Sequence, residues 1–417
     1  MNGNSSGPQD STSSKRSTPG SGRRWHRVGT EDVPGYVPAT QRPGASLVVI
    51  CAMAGAVAVL ICVFAMAGGF TRTLLDTAHD DRAIVLSTDA RSEMGSVLPI
   101  EWAPTILNAP GVRKAPGNTP LASAEMLSLV RLTDRRTGLD AFATMRGLGS
   151  EGLALRPEIR IIEGRMFERG KLELIVGRSI QHRLEGLAVG DRLLLPQGEW
   201  TVVGAFESGG DSHQSELLTD VSTLLNAAKR KVFSSITVAL DGPAGFQRLQ
   251  TALDARPELS VKLLTETEYF SQAAQSLSRL LKFVAYGIGG CMLLGALAVA
   301  LNAMYSSVST RVIEIATLRA LGFSSPAIVT ALFLEALVLS LIGALIGAGI
   351  AWTFFQHKEI STLTGASAAQ LTYSLQITAP LVASAVAVAC VVGLSGGLLP
   401  ALRATRLGIA VAIRKVA

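Results

Sequence analysis

A chain of 417 residues that is 48% hydrophobic and only 17% charged is more apolar than a soluble globular protein of that length. This excludes a disordered or purely aqueous chain and points to membrane helices. The formal net charge of +6 is gathered at the ends of apolar runs, where it reads as topology information and makes no case for a nucleic-acid partner.

Residues 1–44 are rich in Ser, Gly, Pro and Arg and carry too little apolar surface to offset chain entropy, so they read as a disordered cytoplasmic tail. Arg23, Arg24 and Arg27 give that tail some attraction for anionic lipid. Residues 45–70 follow as an uncharged run, long enough to cross about 30 Å of hydrocarbon at about 1.5 Å per residue. The run is too long and too late for a signal-peptide core, and it reads as an uncleaved first span.

Beyond it, residues 71–77 can continue the helix out of the membrane, and 83–86 read as a buried strand. The stretch 161–208 is punctuated by Gly170, Gly177, Gly190, Gly198 and Gly204 between short apolar strands, with 178–184 as a helix. These glycines read as turn positions and the aromatics as core positions, with no ligand role. Residues 234–240, 244–253 and 259–264 then predict strand, helix, strand, and a helical segment from Glu266 leads into a second span at 283–308. His79 with Asp80 and Asp81, and Asp211 with His213, are the only local groups that suggest metal or acid–base work. Neither has the spacing of a complete site, and solvated polar loops are expected.

Residues 309–326 form the connection to a third span. From Arg311 to Leu321 no helix breaker occurs, Gly322 suits a terminator, and Ser325 with Pro326 suits the N-cap and first position of the next helix. A short surface helix follows, with Val312, Ile313, Ala316 and Ala320 on an apolar face and Arg311, Glu314 and Thr317 opposite. Such a helix can dock on a protein or rest on the bilayer.

The third span, 327–355, is interrupted only by Glu335, which is expected to face other protein, reach toward the cytoplasmic interface or be protonated, since no second intramembrane ionisable residue supplies a partner for a proton relay. Gly343, Gly347 and Ala351 recur at four-residue intervals on it, which allows close helix contact. Residues 356–376 read as an extracytoplasmic loop, 377–402 as a fourth span and 403–417 as a cytoplasmic tail. Lys15, Arg16, Arg23, Arg24, Arg27 and Arg42 precede the first span, Arg311 and Arg319 follow the second, and Arg403, Arg406, Arg414 and Lys415 follow the fourth. Both termini are therefore expected in the cytoplasm, with residues 71–282 outside it. All four cysteines, Cys51, Cys62, Cys291 and Cys390, lie in apolar runs, so no disulfide is expected in the outer region.

No GxxxxGK[ST] occurs, so the chain lacks the cradle and lysine that hold nucleotide phosphates. Leu394-Ser395-Gly396-Gly397 imitates an ATPase signature but lies within the fourth span and reads as helix packing.

The order Gly164-Arg165-x-Phe167, Gly170, Ile175-Val176-Gly177, Val189-Gly190-Asp191 and Trp200-Thr201-Val202-Val203-Gly204 resembles the periplasmic domain of MacB-type permeases. Glu314-Ile315-Ala316-x-x-Arg319-Ala320-x-Gly322 resembles the FtsX-like permease signature. Residues 400–414 are similar to that family's C-terminal sequence, departing at Gly408 and Ile409, where the pattern usually has an acidic or amide residue and proline.

The resemblance to MacB/FtsX-type ABC transporter permeases implies a membrane α-helical protein with four transmembrane helices and an α+β extracytoplasmic domain. That domain would combine an α/β subdomain with an inserted β-rich subdomain at about 115–228. It further implies a non-enzymatic, multi-pass permease of the bacterial inner membrane, with no cofactor of its own and ATP bound by a separate subunit. Arg311, Glu314, Ile315, Arg319, Ala320 and Gly322 would contact an ABC ATPase. The implied partners are that ATPase, a second permease copy, a membrane-fusion adaptor and lipid. Export of a hydrophobic molecule, peptide or lipoprotein is the leading function. A non-transporting scaffold that transmits force to a cell-wall hydrolase is the alternative.

Overall fold

The computed structural model describes residues 43–363 and 370–406, so the expected tail before Pro43 and the segment 407–417 lie outside the described residues. Among the described residues four helices are long and apolar enough to cross a membrane: Ser46–Thr77, Glu266–Thr310, Ser325–Phe355 and Ala379–Leu402. The first belongs to α1 (Pro43–Thr77). Two short helices, α2 (Ala103–Leu107) and α3 (Arg178–Gln181), and two longer ones, α4 (Val221–Ala227) and α5 (Gly245–Asp254), belong to the outer domain. The chain then enters α6 (Glu266–Thr310), α7 (Val312–Ala320), α8 (Ser325–Phe355) and α9 (Ala379–Arg406).

No proline or charge cluster stops α1 where its apolar run ends, and the helix continues to Thr77 as expected. On α6 the start is fixed by Thr265, whose side chain accepts the Glu268 N–H, and by two acidic residues in the first turn that suit the positive end of the helix dipole. Among the apolar helices, small residues set the approach. Gly347 of α8 lies so close to the Ala54 backbone of α1 that a Cβ there would collide with it, and a Cβ on Gly343 would come within 2.8 Å of the Met53 Cβ. Gly396 of α9 faces Ala300 of α6 in the same way, as expected for the ATPase-like tetrapeptide. Met53, Val57 and Ile61 of α1, Ala344 and Ala348 of α8 and Ala385 and Ala389 of α9 share one buried cluster.

The strands follow in chain order as β1 (Arg82–Ser87), β2 (Leu98–Pro99), β3 (Ala122–Thr133), β4 (Asp140–Leu148), β5 (Arg160–Gly164), β6 (Glu173–Gly177) and β7 (Arg192–Leu195). After them come β8 (Gly198–Glu207), β9 (Glu216–Asp220), β10 (Val232–Phe233), β11 (Ser235–Ala239), β12 (Val261–Thr265), β13 (Glu359–Leu363) and β14 (Gln370–Ser374). Ten of these form one sheet in the order β12-β1-β11-β3-β4-β9-β6-β8-β5, with β7 also on β8.

The long strand β3 is what makes the sheet continuous. Its residues 122–125 pair with β11, and 126–133 pair with β4. Core side chains follow suit: Ala83, Val85 and Val238 belong to the same buried cluster as Trp200, Val202 and Leu217. The division expected near residues 115 and 228 therefore does not appear as two cores. A strand of 12 residues outruns a two-subdomain partition and binds both halves through its own hydrogen bonds.

A second departure concerns residues 356–376, expected as a loop. Strands β13 and β14 pair there as an antiparallel hairpin, with Ile360 opposite Tyr373. Tyr373 stacks edge-on against Phe70 of α1 at 5.7 Å between ring centroids, so the hairpin is packed at the outer end of the helices.

Candidate functional site

Sequence reasoning placed the functional residues on the connection between α6 and α8, and that connection is built as a rigid corner. Arg311 ends α6 with non-helical dihedrals, its N–H reaching the Ser307 and Val308 carbonyls at 3.2 Å. Helix α7 ends at Gly322, which adopts φ +95°, and the Phe323 N–H donates to the Leu318 carbonyl at 3.1 Å, the six-to-one bond of a Schellman turn. The N-cap of α8 is Ser324, one residue before the expected Ser325, with Pro326 in the first turn.

The packed face of α7 differs from the one drawn on a wheel. Ile315 is buried against Met304 and Val308 of α6, Ile328 and Leu332 of α8 and Ala401 of α9. Val312 and Ala316 are half-buried beside it, whereas Ile313, Glu314, Thr317 and Ala320 are exposed. Tertiary contact from three helices, rather than the sharpest apolar arc of α7 alone, decides which side is inward. Of the six expected site residues, Glu314 and Ala320 thus point outward, Ile315 anchors the helix, Gly322 makes the turn and Arg311 sits at the break. Arg319 stands on α7, with its side chain outside the described residues. On the same corner Ile313 at 57%, Leu321 at 73% and Phe323 at 57% exposure are large apolar side chains left uncovered by the described residues.

Glu335 does have a partner. Arg311 Nη1 lies 3.1 Å from its Oε2, tying the corner to α8. A lone carboxylate at the centre of a membrane helix costs about 2.5 to 3.5 kcal/mol on insertion scales, so the pair offsets a real penalty.

At the other end of the helices, polar residues expected in solvated loops are buried. Asp211 caps the short 3-10 turn Ser212–Ser215 by accepting from the His213 and Gln214 N–H groups. From that turn the Ser212 N–H donates to Thr77 Oγ1 at the end of α1 at 2.9 Å, and the Thr372 N–H of β14 donates to Ser215 Oγ at 3.1 Å. Arg183 of the outer domain also donates to Thr372 Oγ1 at 3.1 Å and to Ser361. One turn therefore touches the end of α1, the β13–β14 hairpin and the domain core.

Behind the turn lies an ionic cluster. Arg146 donates to Glu216 at 2.8 and 2.9 Å, to Glu125 at 2.7 Å and to Glu93 at 2.9 and 3.1 Å. Arg156 donates to Glu125 at 2.7 and 3.1 Å, and His213 Nδ1 lies 3.0 Å from Glu216. Burial works against charge here, but Arg156 and Arg146 hold the Glu125 carboxyl below the usual range, and Arg146 and His213 hold Glu216 well below it. Burial likewise opposes a charge on His213, yet Glu216 and Asp211 outweigh it and raise its proton affinity.

Glu93, Glu125 and Glu216 share the guanidinium groups of Arg146 and Arg156, with the His213 ring against Glu216. The Arg156 Nε–H contact to His213 Nε2 at 3.2 Å is one that a neutral ring accepts, so Arg156 works against the rise in proton affinity that Glu216 and Asp211 cause. Burial of Asp211 pushes its carboxyl up. Of the other polar group noted in the sequence, Asp81 is paired with Arg113 at 3.1 Å in an exposed position, and the His79 N–H donates to Glu266 at 3.1 Å at the start of α6.

Residues of α1, α6 and the start of α9, with Gln376 and Thr378 before it, line an open groove of about 670 Å³. Phe64, Ala67 and Leu381 make its apolar part, and Arg72, Lys282 and Gln376 its polar part. Among the described residues no group of three or more His, Cys, Asp and Glu side chains is placed to hold a metal ion.

The MacB-like periplasmic core domain profile matches residues 46–256, half of the chain, and the FtsX-like permease C-terminal profile matches 286–409. The chain belongs to the MacB/FtsX-type ABC transporter permeases. In this permease, α1 and the ten-stranded sheet make up the MacB-like part, and the α6–α8 corner with α9 falls in the FtsX-like part. The family works with an ABC ATPase and is a multi-pass bacterial membrane family.

Among solved structures, the extracellular domain of the noncanonic ABC-type transporter YknZ from Gram-positive bacteria matches at 14% identity and TM-score 0.34, covering 44% of this permease and 99% of that chain. The periplasmic region of MacB from Actinobacillus actinomycetemcomitans matches at 12% identity and TM-score 0.36, covering 45% and 90%. A domain of a putative permease from Porphyromonas gingivalis matches at 15% identity and TM-score 0.29, covering 44% and 87%. No curated protein matches the chain significantly.

Proposed function

We propose that the chain is the membrane subunit of an ABC exporter, in which a separate ATPase docks on α7 and its closure moves the outer domain. Four helices span the membrane in this reading, both termini are cytoplasmic and the large sheet lies outside. The observation that carries it is the α7 corner: a short helix anchored by Ile315, closed by the Gly322 turn, and leaving Glu314 exposed together with Ile313, Leu321 and Phe323. Such a surface suits a protein partner better than water. Helices α1 and α6 run unbroken from the apolar zone into the sheet domain, so displacement of the corner has a stiff path outward.

Transport of a hydrophobic molecule, peptide or lipoprotein suits the groove beside α1 and α6, which places apolar walls next to Arg72 and Lys282. A second permease copy and a membrane-fusion adaptor complete the complex, both carried by the family resemblance alone. Affinity purification of the tagged chain with its ABC ATPase tests the assignment. ATPase in stoichiometric amount, more active bound than free, is expected; an ATPase that neither binds nor responds sinks the proposal.

A further inference from the structure

We propose that Glu335 is a positioning residue for the coupling helix: paired with Arg311, it ties α7 to α8 so that the two move as one body. The inference rests on the ATPase-docking reading of α7 and adds a residue outside the docking surface. Arg311 occupies the break between α6 and α7, where no continuous helix dictates the direction of α7. Two contacts then fix it. Ile315 packs against Ile328 and Leu332 of α8, and Arg311 Nη1 reaches Glu335 Oε2 at 3.1 Å. The apolar contact is non-directional and tolerates sliding; the ion pair sets register.

Displacing α7 alone would leave Glu335 in an apolar helix face without its cation, so α8 follows the corner. The upper end of α8 leads directly into β13, and the hairpin is bonded to Ser215 and Arg183 of the outer domain. Glu335 thereby gives motion of α7 a route to the sheet through α8 and the hairpin, separate from the route through α6.

The test uses the full permease–ATPase complex in lipid nanodiscs with Glu335→Gln, Arg311→Gln and the reciprocal swap Arg311→Glu with Glu335→Arg. Readouts are ATPase stimulation and the distance distribution between spin labels at the exposed positions Thr317 and Leu334. Each single variant should broaden that distribution and reduce stimulation by about fivefold, the lower end of typical coupling effects, and the swap should restore both. Single variants with wild-type distance and stimulation overturn the proposal. So does a swap that inserts and binds the ATPase yet stays as impaired as the singles. Glu314→Ala separates the two layers: if it leaves stimulation intact the docking reading fails, while the label distance still decides whether Glu335 holds α7.

Discussion

Arg146 makes five hydrogen bonds to Glu93, Glu125 and Glu216, all buried, and its removal would leave Glu93 without a cation, Glu125 with Arg156 alone and Glu216 with His213 alone. Breaking such a cluster at one partner costs about 3 to 5 kcal/mol. Arg146→Met should therefore lower the stability of the outer domain by that amount in denaturant unfolding of the solubilised chain followed by the buried Trp200. His213 adds a pH dependence with two limbs. Its proton affinity is raised above the ordinary 6.5, so its contribution is complete below that pH and is lost as pH rises through the folded value. Glu125 and Glu216 are lowered from 4.5, so their contribution is present above that pH and lost as pH falls. His213→Gln should flatten the alkaline limb and weaken the acid limb only in the part that Glu216 owes to His213, leaving the Glu125 part, as read from melting temperature against pH. None of this cluster was legible in the sequence: Asp211 and His213 stood out but read as a solvated loop, and Glu93, Glu125, Arg146 and Arg156 stand far apart in the chain and are gathered only by the tertiary fold.

Element boundaries came through better than element partners. The ends of α1 and α6 beyond their apolar runs, the α7 helix with its Gly322 turn, and strands β1, β11 and β12 follow from apolar patterning and breaker residues that act locally. The β13–β14 hairpin did not, because a stretch such as Ile360 to Thr362 alternates too briefly to distinguish strand from loop until Tyr373 and Thr372 find partners on α1 and the domain. Nor did the Arg311–Glu335 pair, which spans a turn and two helices. Ser215→Ala removes the acceptor for the Thr372 N–H, at a cost of about 1 kcal/mol, and should speed hydrogen exchange in residues 370–374 several-fold without altering exchange in the central sheet.

For the whole molecule, composition and the positions of four apolar runs were enough to expect a membrane protein with a large outer domain. The single sheet was not foreseen, since only the register of β3 against both β11 and β4 shows that the glycine-rich block and the terminal strands share a core. In the proposed mechanism that continuity would let a load applied at α1, α6 or the hairpin enter one hydrogen-bonded body. The central claim is that an external ATPase drives this body through α7. Glu314→Ala combined with Arg319→Ala, assayed as ATPase stimulation by the reconstituted permease, tests it most directly. Loss of stimulation with insertion and folding retained is the predicted result; stimulation equal to wild type would contradict the account.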